Sequence, residues 1–362
     1  MISFALTEEQ RVAQATVRAF AQSTLRPVAQ AADEAGRIAP ETLAALWSME
    51  LVQAQAQIEP GGEARSPLLN ALLLEELGAA DATLALAVAA PMAFVGALAD
   101  HGSERQRRSL LPLFAGARFQ AAAVAVMEPR FQFDAAALGT TAVRAGGDYR
   151  LTGRKSMVPF AADCSHFLVL ATSDGRPDAF IVPRDAPGVT VGPAPGTVGL
   201  RALALAEVDL AEVAVPAAMR LGDHNGCDAQ RLIDSARAGI SAVLTGMSRG
   251  VLDYAVPYLK ERVVHGAPLA RKQLIAFRLA DMHIEVEAMR WMTWRAAAEL
   301  EQGRSATRSA QLAYTYAATQ SLMVADEAVQ AFGGHGFVRS HPIEMWYRNT
   351  RALSVLEGIA GL

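Results

Sequence analysis

Apolar positions along this chain change their period twice. From Thr7 to about Arg118 they recur three and four residues apart, as in Val12, Ala15, Val17, Phe20 and Leu25, the spacing that lines one face of a helix. Thr7-Glu8-Glu9-Gln10 reads as a capping box, with Thr7 at the N-cap and Gln10 three residues on. Further helices are predicted over 68–77 and 105–114, the second kinked or ended by Pro112. Between about Phe119 and Arg220 the pattern shortens to β-rich runs at 140–143, 149–151, 167–171, 179–182, 189–191 and 213–215. Turn residues separate these runs, as in Gly146-Gly147-Asp148 and Asp174-Gly175-Arg176-Pro177, which predicts a small β-barrel or sandwich. From about Asp228 helical spacing returns over 233–262, 269–303 and 307–332, long enough to pack antiparallel as a four-helix bundle. The fold class expected is α+β and multi-domain: an N-terminal α-helical domain over 1–118, a middle β domain over 119–222 and a C-terminal α-helical bundle over 223–362.

Composition narrows the function classes. Hydrophobic residues make up 52% of the chain, and a surplus of that size is expected to be used at subunit interfaces. The longest apolar run, 82–99, contains Thr83, Pro91 and Gly96 and is closed by Asp81 and Asp100. It predicts a buried helix pair rather than a membrane span. The net charge is −4 and no block of Lys and Arg is present, so nucleic acid is not an expected partner. Cys164 and Cys227 lie outside any Cys-x-x-Cys pair, which argues against a disulfide framework or a metal site. The opening MISFALTEEQ has neither the basic start nor the apolar core of a secretion signal, and a cytoplasmic location is expected.

The candidate chemistry lies in an ordered set of short motifs. In the C-terminal third these are Tyr258-Leu259-Lys260-Glu261-Arg262, His265-Gly266-Ala267-Pro268-Leu269 with Gln273 beyond it, Gln330-Ala331-Phe332-Gly333-Gly334-His335-Gly336, Tyr347-Arg348-Asn349-Thr350-Arg351 and Glu357-Gly358. Upstream stand Glu75-Glu76-Leu77-Gly78, Glu128-Pro129, Gly153-Arg154-Lys155 and Gly199-Leu200-Arg201. In this order and spacing, over roughly the whole chain, they resemble the acyl-CoA dehydrogenases. Those flavoenzymes oxidise acyl-CoA thioesters to 2,3-enoyl-CoA, as in β-oxidation.

The resemblance implies FAD as cofactor and Glu357 as catalytic base. The α-proton of a thioester is a very weak acid, so its removal needs a positioned base and a stabiliser for the enolate oxygen. In the family the backbone N–H of the base residue and a flavin hydroxyl bind that oxygen. Leu353, Val355 and Leu356 give Glu357 an apolar setting, the condition under which a carboxylate becomes a stronger base. By the same resemblance Arg262, Gln273, Gln330, Gly333 and Gly334 contact the adenosine-pyrophosphate part of FAD, with Arg262 reaching across a subunit interface. Met127 and Val158 stand at the flavin-ring positions. Asp234, Arg237 and Phe133 stand on the substrate side, and the helices around 84–96 and 233–245 set chain-length selectivity. Alanine and glycine there predict a wide pocket. The implied partners are an acyl-CoA, an electron-transferring flavoprotein as acceptor, and further subunits in a homotetramer or an α2β2 heterotetramer. Read without the resemblance, Glu357 is an ordinary surface carboxylate, Asp234 and Arg237 an i,i+3 ion pair, and the glycines a helix C-cap and turn.

The departures from the family pattern fall on flavin contacts. Where Thr and Ser hydroxyls are usual, this chain has Met127 and Phe133, and Pro159 offers no N–H. Ile359 stands for Thr, and the chain stops at Leu362, short of the family's final helix. Three arrangements are compatible with that pattern: a divergent homotetramer that binds FAD through Arg262 and the glycine turn, one half of an α2β2 enzyme, or a non-catalytic subunit with binding or structural roles. At roughly 1 kcal/mol for each lost hydrogen bond, FAD affinity is expected to fall by several kcal/mol. The lone chain should then lose its yellow colour on gel filtration, and stoichiometric FAD in the eluted peak would contradict this.

Overall fold

A computed structural model describes residues 5–56 and 65–362. The N-terminal capping box forms as the sequence predicts: Gln10 N donates to Thr7 Oγ1 at 3.2 Å, and Thr7 N donates to Gln10 Oε1 at 3.0 Å. Helix α1 (Glu8–Phe20) passes through a π turn into α2 (Arg26–Ala35), followed by α3 (Pro40–Trp47), α4 (Leu51–Ala56), α5 (Pro67–Ala80), α6 (Ala82–His101) and α7 (Glu104–Leu110). Pro112 does end α7, the chain continuing as a 3-10 turn over Leu111–Phe114.

The apolar run expected as a helix pair is instead one helix. The break lies before it, at Asp81, whose extended backbone ends α5 and whose side chain caps α6 by accepting from Leu84 N at 3.0 Å. Pro91 is held inside the helix without ending it. By length and composition α6 passes for a membrane span, but 94% of its apolar window is buried within the protein.

The middle segment forms one seven-stranded mixed sheet of order β1-β4-β2-β3-β7-β6, with β5 hairpinned onto β4. Its strands are β1 (Ala123–Ala125), β2 (Thr141–Ala145), β3 (Asp148–Val158), β4 (His166–Ser173), β5 (Arg176–Pro183), β6 (Val189–Val191) and β7 (Ala206–Val215). The two-residue turn Asp174-Gly175, both at positive φ, sets the β4–β5 register from Ser173↔Arg176 to His166↔Pro183. The sequence reading passed over β1 because Ala-Val-Ala has weak strand preference; the strand exists by pairing in parallel with β4.

Helices α8 (Ala229–Glu261), α9 (Gln273–Glu301), α10 (Thr307–Phe332) and the shorter α11 (Ile343–Leu353) complete the fold, with the small hairpin β8 (Val263–Val264) and β9 (Ala267–Pro268) between α8 and α9. Helix α5 of the N-terminal part lies directly against α8. A Cβ added at Gly246 would fall 2.0 Å from Glu75 O, at Gly250 2.2 Å from Ala79 O, and at Gly78 2.6 Å from Val243 O. The two backbones therefore approach closer than any other residue allows.

Buried charge locks that contact. Glu76, fully buried, accepts two hydrogen bonds from Arg18 of α1 (2.9 and 2.8 Å) and two from Arg249 of α8 (2.9 and 2.5 Å). Burial pushes its carboxyl up, but the two guanidiniums outweigh this and hold it below its ordinary value. Glu75 beside it accepts from Arg290 Nε at 2.9 Å and from Trp294 Nε1 at 3.3 Å, which brings in α9.

Among the described residues Asp81 has no cation to match. Burial lifts its carboxyl from 3.8 to about 6, against opposing hydrogen bonds from Leu84 and Thr83. Because the folded value exceeds the unfolded one, the native state holds a proton between pH 4 and 6 that the unfolded chain has released, and stability falls as pH rises through that window. Asp81→Asn keeps the cap and removes the ionisation. Its stability in urea should be flatter than wild type from pH 4 to 6, by up to about 3 kcal/mol in total. Parallel profiles for the two proteins would contradict the assignment.

Candidate active site

The chain leaves α11 at Leu353 and turns back across the middle of the molecule. Leu353 and Leu356 are buried in the core while Val355 is exposed. The neighbour of the carboxylate is Arg237 of α8, whose Nε donates to Glu357 Oε1 at 2.8 Å, both side chains being only 12–13% exposed. Among the described residues Glu357 Oε2 and the backbone N–H of Glu357 have no partner within the chain. Tyr314 of α10 donates from Oη to Leu356 O at 2.9 Å.

Gly358 fixes the turn against the β domain. Its φ is +80°, and a Cβ there would fall 2.4 Å from the Val126 side chain. Met127, next in the chain, thereby comes to the same region. Its carbonyl accepts from Ser156 N at 2.8 Å. Val158, at the end of β3, is buried, and Phe133 is half-buried. Underneath, Lys155 is fully buried and donates to Glu128 Oε1 at 2.9 Å and to Val126 O at 3.1 Å. Glu128 also accepts from the N–H groups of Gly139 (2.7 Å) and Thr140 (2.8 Å). Burial brings the Lys155 ammonium down to about 8, with Glu128 opposing.

Beyond Gly358 the chain runs between α6 and α8. Ile359, Ala360 and Leu362 are buried, and Leu362 N donates to Ser235 Oγ at 2.9 Å. A Cβ at Gly239 would fall 2.9 Å from Gly361 N. The wide pocket expected between these helices is therefore filled by residues 359–362, leaving about 30 Å³ beside Ala93, Ala97 and Ala236.

The remaining candidates lie elsewhere. Asp234 does not pair with Arg237; it is buried and accepts from Gln230 Nε2 and Thr307 Oγ1, both at 2.7 Å. Arg262 caps the far end of α8, exposed and without an ion-pair partner among the described residues. Gln273 begins α9 nearby, and Gln330 lies in the last turn of α10. Gly333 has φ +58°, and Gly333 and Gly334 meet nothing within 4 Å of an added Cβ, an open backbone surface. Tyr258 stacks on Phe332 at 3.9 Å and so ties the α8 and α10 ends together. About 37 Å of helix separates Arg237 from Arg262. One chain therefore carries two candidate half-sites: a carboxylate end around Glu357 and a cation-and-glycine end around Arg262. Sequence reading missed Tyr314, since neither motif spacing nor helix pattern distinguishes it from an ordinary core residue.

Matches to known proteins fit this geometry. Three family models align with the chain: the acyl-CoA dehydrogenase N-terminal domain over 7–118, the middle domain over 123–213 and the C-terminal domain over 227–360. The chain belongs to the acyl-CoA dehydrogenase family, a class of oxidoreductases. Among its relatives, cyclohexane-1-carbonyl-CoA dehydrogenase of Geobacter metallireducens is 32% identical over 98% of this chain and 95% of its own length. A probable acyl-CoA dehydrogenase of Bacillus subtilis is 30% identical over 99% and 96%. The solved butyryl-CoA dehydrogenase of Megasphaera elsdenii superposes with a TM-score of 0.87 at 29% identity, covering 99% of this chain and 96% of that one.

Breaking a mostly buried ion pair strands the surviving charge. Arg237→Leu should cost about 3 kcal/mol of stability in urea, while the double variant Arg237→Leu/Glu357→Leu should recover most of it. Additive losses in that double-mutant cycle would show that the pair is not coupled.

Proposed function

We propose that the chain catalyses α,β-dehydrogenation of an acyl-CoA thioester to the 2,3-enoyl-CoA, with Glu357 as the base and FAD as cofactor. The observation that carries this reading is the state of Glu357. One carboxylate oxygen is held by Arg237, the other is unengaged, and its own N–H is unengaged beside them. A substrate carbonyl bound to that N–H would place its α-carbon next to the base. The proton moves to Glu357, and the developing enolate charge falls on an oxygen that already has a donor. Bound FAD would supply the hydride acceptor.

The residues fit FAD better at one end than at the other. The unpaired Arg262 and the open turn at Gly333 and Gly334, with Gln330 and Gln273, suit the pyrophosphate and adenosine. At the ring positions Met127 and Val158 offer backbone groups only, and Pro159 lacks an N–H. Because the two half-sites lie at opposite ends of α8, a second subunit is needed to bring an Arg262 to a Glu357. Helix α9 carries an exposed apolar stripe of Leu274, Phe277, Ile284 and Trp291 that suits such an interface. The second subunit is another copy, in a homotetramer, or a homologue that holds the ring more completely, in an α2β2 enzyme; the bare ring end favours the latter. Colour in the lone chain indicates the first, colour only on co-expression with a homologue indicates the second, and none in either case a non-catalytic subunit. An electron-transferring flavoprotein is the proposed acceptor; a 28% identical relative of Acetobacterium woodii is a subunit of a caffeyl-CoA reductase-Etf complex. Asp234, already engaged within the chain, shapes the α8–α10 contact beside the substrate side, and Phe133 borders it.

Glu357→Gln keeps shape and hydrogen bonding but accepts no proton at neutral pH. Turnover in an electron-acceptor assay should fall by at least about a thousandfold with acyl-CoA binding little changed. A variant that retains more than about a tenth of the rate would place the base elsewhere.

A further inference from the structure

Tyr314 is a polar side chain at the base end to which no motif assigns a role. It projects from α10 and donates its hydroxyl to Leu356 O at 2.9 Å. Leu356 O and Glu357 N belong to one peptide group. That unit is planar and trans, so a bond that fixes the oxygen also fixes the direction of the N–H on its opposite edge. A hydrogen bond accepted at the carbonyl also polarises the amide and makes the N–H a stronger donor. The N–H so aimed is engaged by nothing else among the described residues. Burial, reinforced by the charge of Glu357 and opposed by Arg237, holds the Tyr314 phenol above its ordinary value, so it remains a protonated donor at any working pH.

We propose that Tyr314 is a positioning residue that orients and strengthens the Glu357 N–H as a donor to the thioester oxygen of the acyl-CoA. The inference rests on the reading of Glu357 given above and adds a second role at the same turn. Arg237 fixes the carboxylate and Tyr314 fixes the amide, so base and oxyanion donor are held by different helices, α8 and α10. A phenol suits the task because its rigid ring reaches across the helix–turn gap and its hydroxyl has a donor to give. Phenylalanine keeps the packing and loses only the donor.

The test is a carbonyl measurement on the full protein, with its FAD and any partner subunit present. Isotope-edited infrared spectra of a bound enoyl-CoA, carbon-13 labelled at the thioester carbonyl, should show the C=O stretch moved to lower wavenumber than in solution. In Tyr314→Phe that shift should shrink, and kcat should fall about tenfold with KM little changed, less than the hundredfold or more lost with a direct oxyanion donor. Replacing Tyr314 by 3-fluorotyrosine, a better donor of the same shape, should enlarge the shift. Glu357→Gln keeps the N–H and should keep the shift while losing turnover, so failure of the base reading and failure of this one give different patterns. An unchanged shift in Tyr314→Phe overturns the proposal even if the rate drops. So does a wild-type protein in which binding moves the carbonyl not at all, or a fluorotyrosine variant indistinguishable from wild type.

Discussion

Backbone contact between α5 and α8 is the constraint on which the rest of the molecule depends. Three glycines let the two helices touch main chain to main chain, and the double guanidinium clamp on Glu76 holds them in register. Helix α8 is thereby fixed to the N-terminal part along one side, while its other sides receive α9, α10 and the turn that carries Glu357. At about 50 Å it is long enough to present Arg237 at one end and Arg262 at the other. A shift of α8 along α5 would move both half-sites together. A site shared between subunits, as proposed, would therefore keep its geometry through one rigid rod rather than through many loops.

Charge is distributed through the interior in a consistent manner. Glu76 faces two arginines, Lys155 faces Glu128, and Arg348 makes two hydrogen bonds to Asp33 at 3.2 and 2.7 Å. Each pair ties segments far apart in sequence, and each would be costly to break because the surviving partner would stay buried alone. The Glu357–Arg237 pair differs in being half-finished. One oxygen is engaged by Arg237 and the other is left open, as the proposed proton transfer needs. Asp81 is the opposite case, a carboxylate kept for its cap and tolerated at the cost of partial protonation.

What the sequence made legible follows from how local each feature is. The capping box at Thr7, the turn at Asp174-Gly175 and the three long helices are dictated by residues within a few positions of one another, and the structure has them. The continuity of α6 was not legible, because Pro91 and Gly96 read locally as breaks while burial on all sides overrides them. Strand β1 was missed for the same reason in reverse: Ala-Val-Ala carries no pattern, and only the β4 edge makes it a strand. At the site, Glu357 and Arg237 were each singled out, but not as partners. Their contact spans 120 positions, and spacing had suggested Asp234 as the neighbour of Arg237. Tyr314 lay outside reach altogether, since its role depends on a carbonyl 42 positions away.

Residues 359–362, seated between α6 and α8, make the cleft its own first occupant. A ligand tethered to its site is present at an effective concentration set by the tether, not by the solution, and dilution does not remove it. If the proposed acyl-CoA places its acyl chain in this cleft, it has to displace Ile359 and Leu362 from contacts they already hold, so measured affinity would reflect a difference between two occupants. Short chains that recover little apolar contact would be disfavoured most, and bulky ones that replace all of it least. Selectivity for acyl size can thus arise from what must leave the cleft as much as from the shape of its walls.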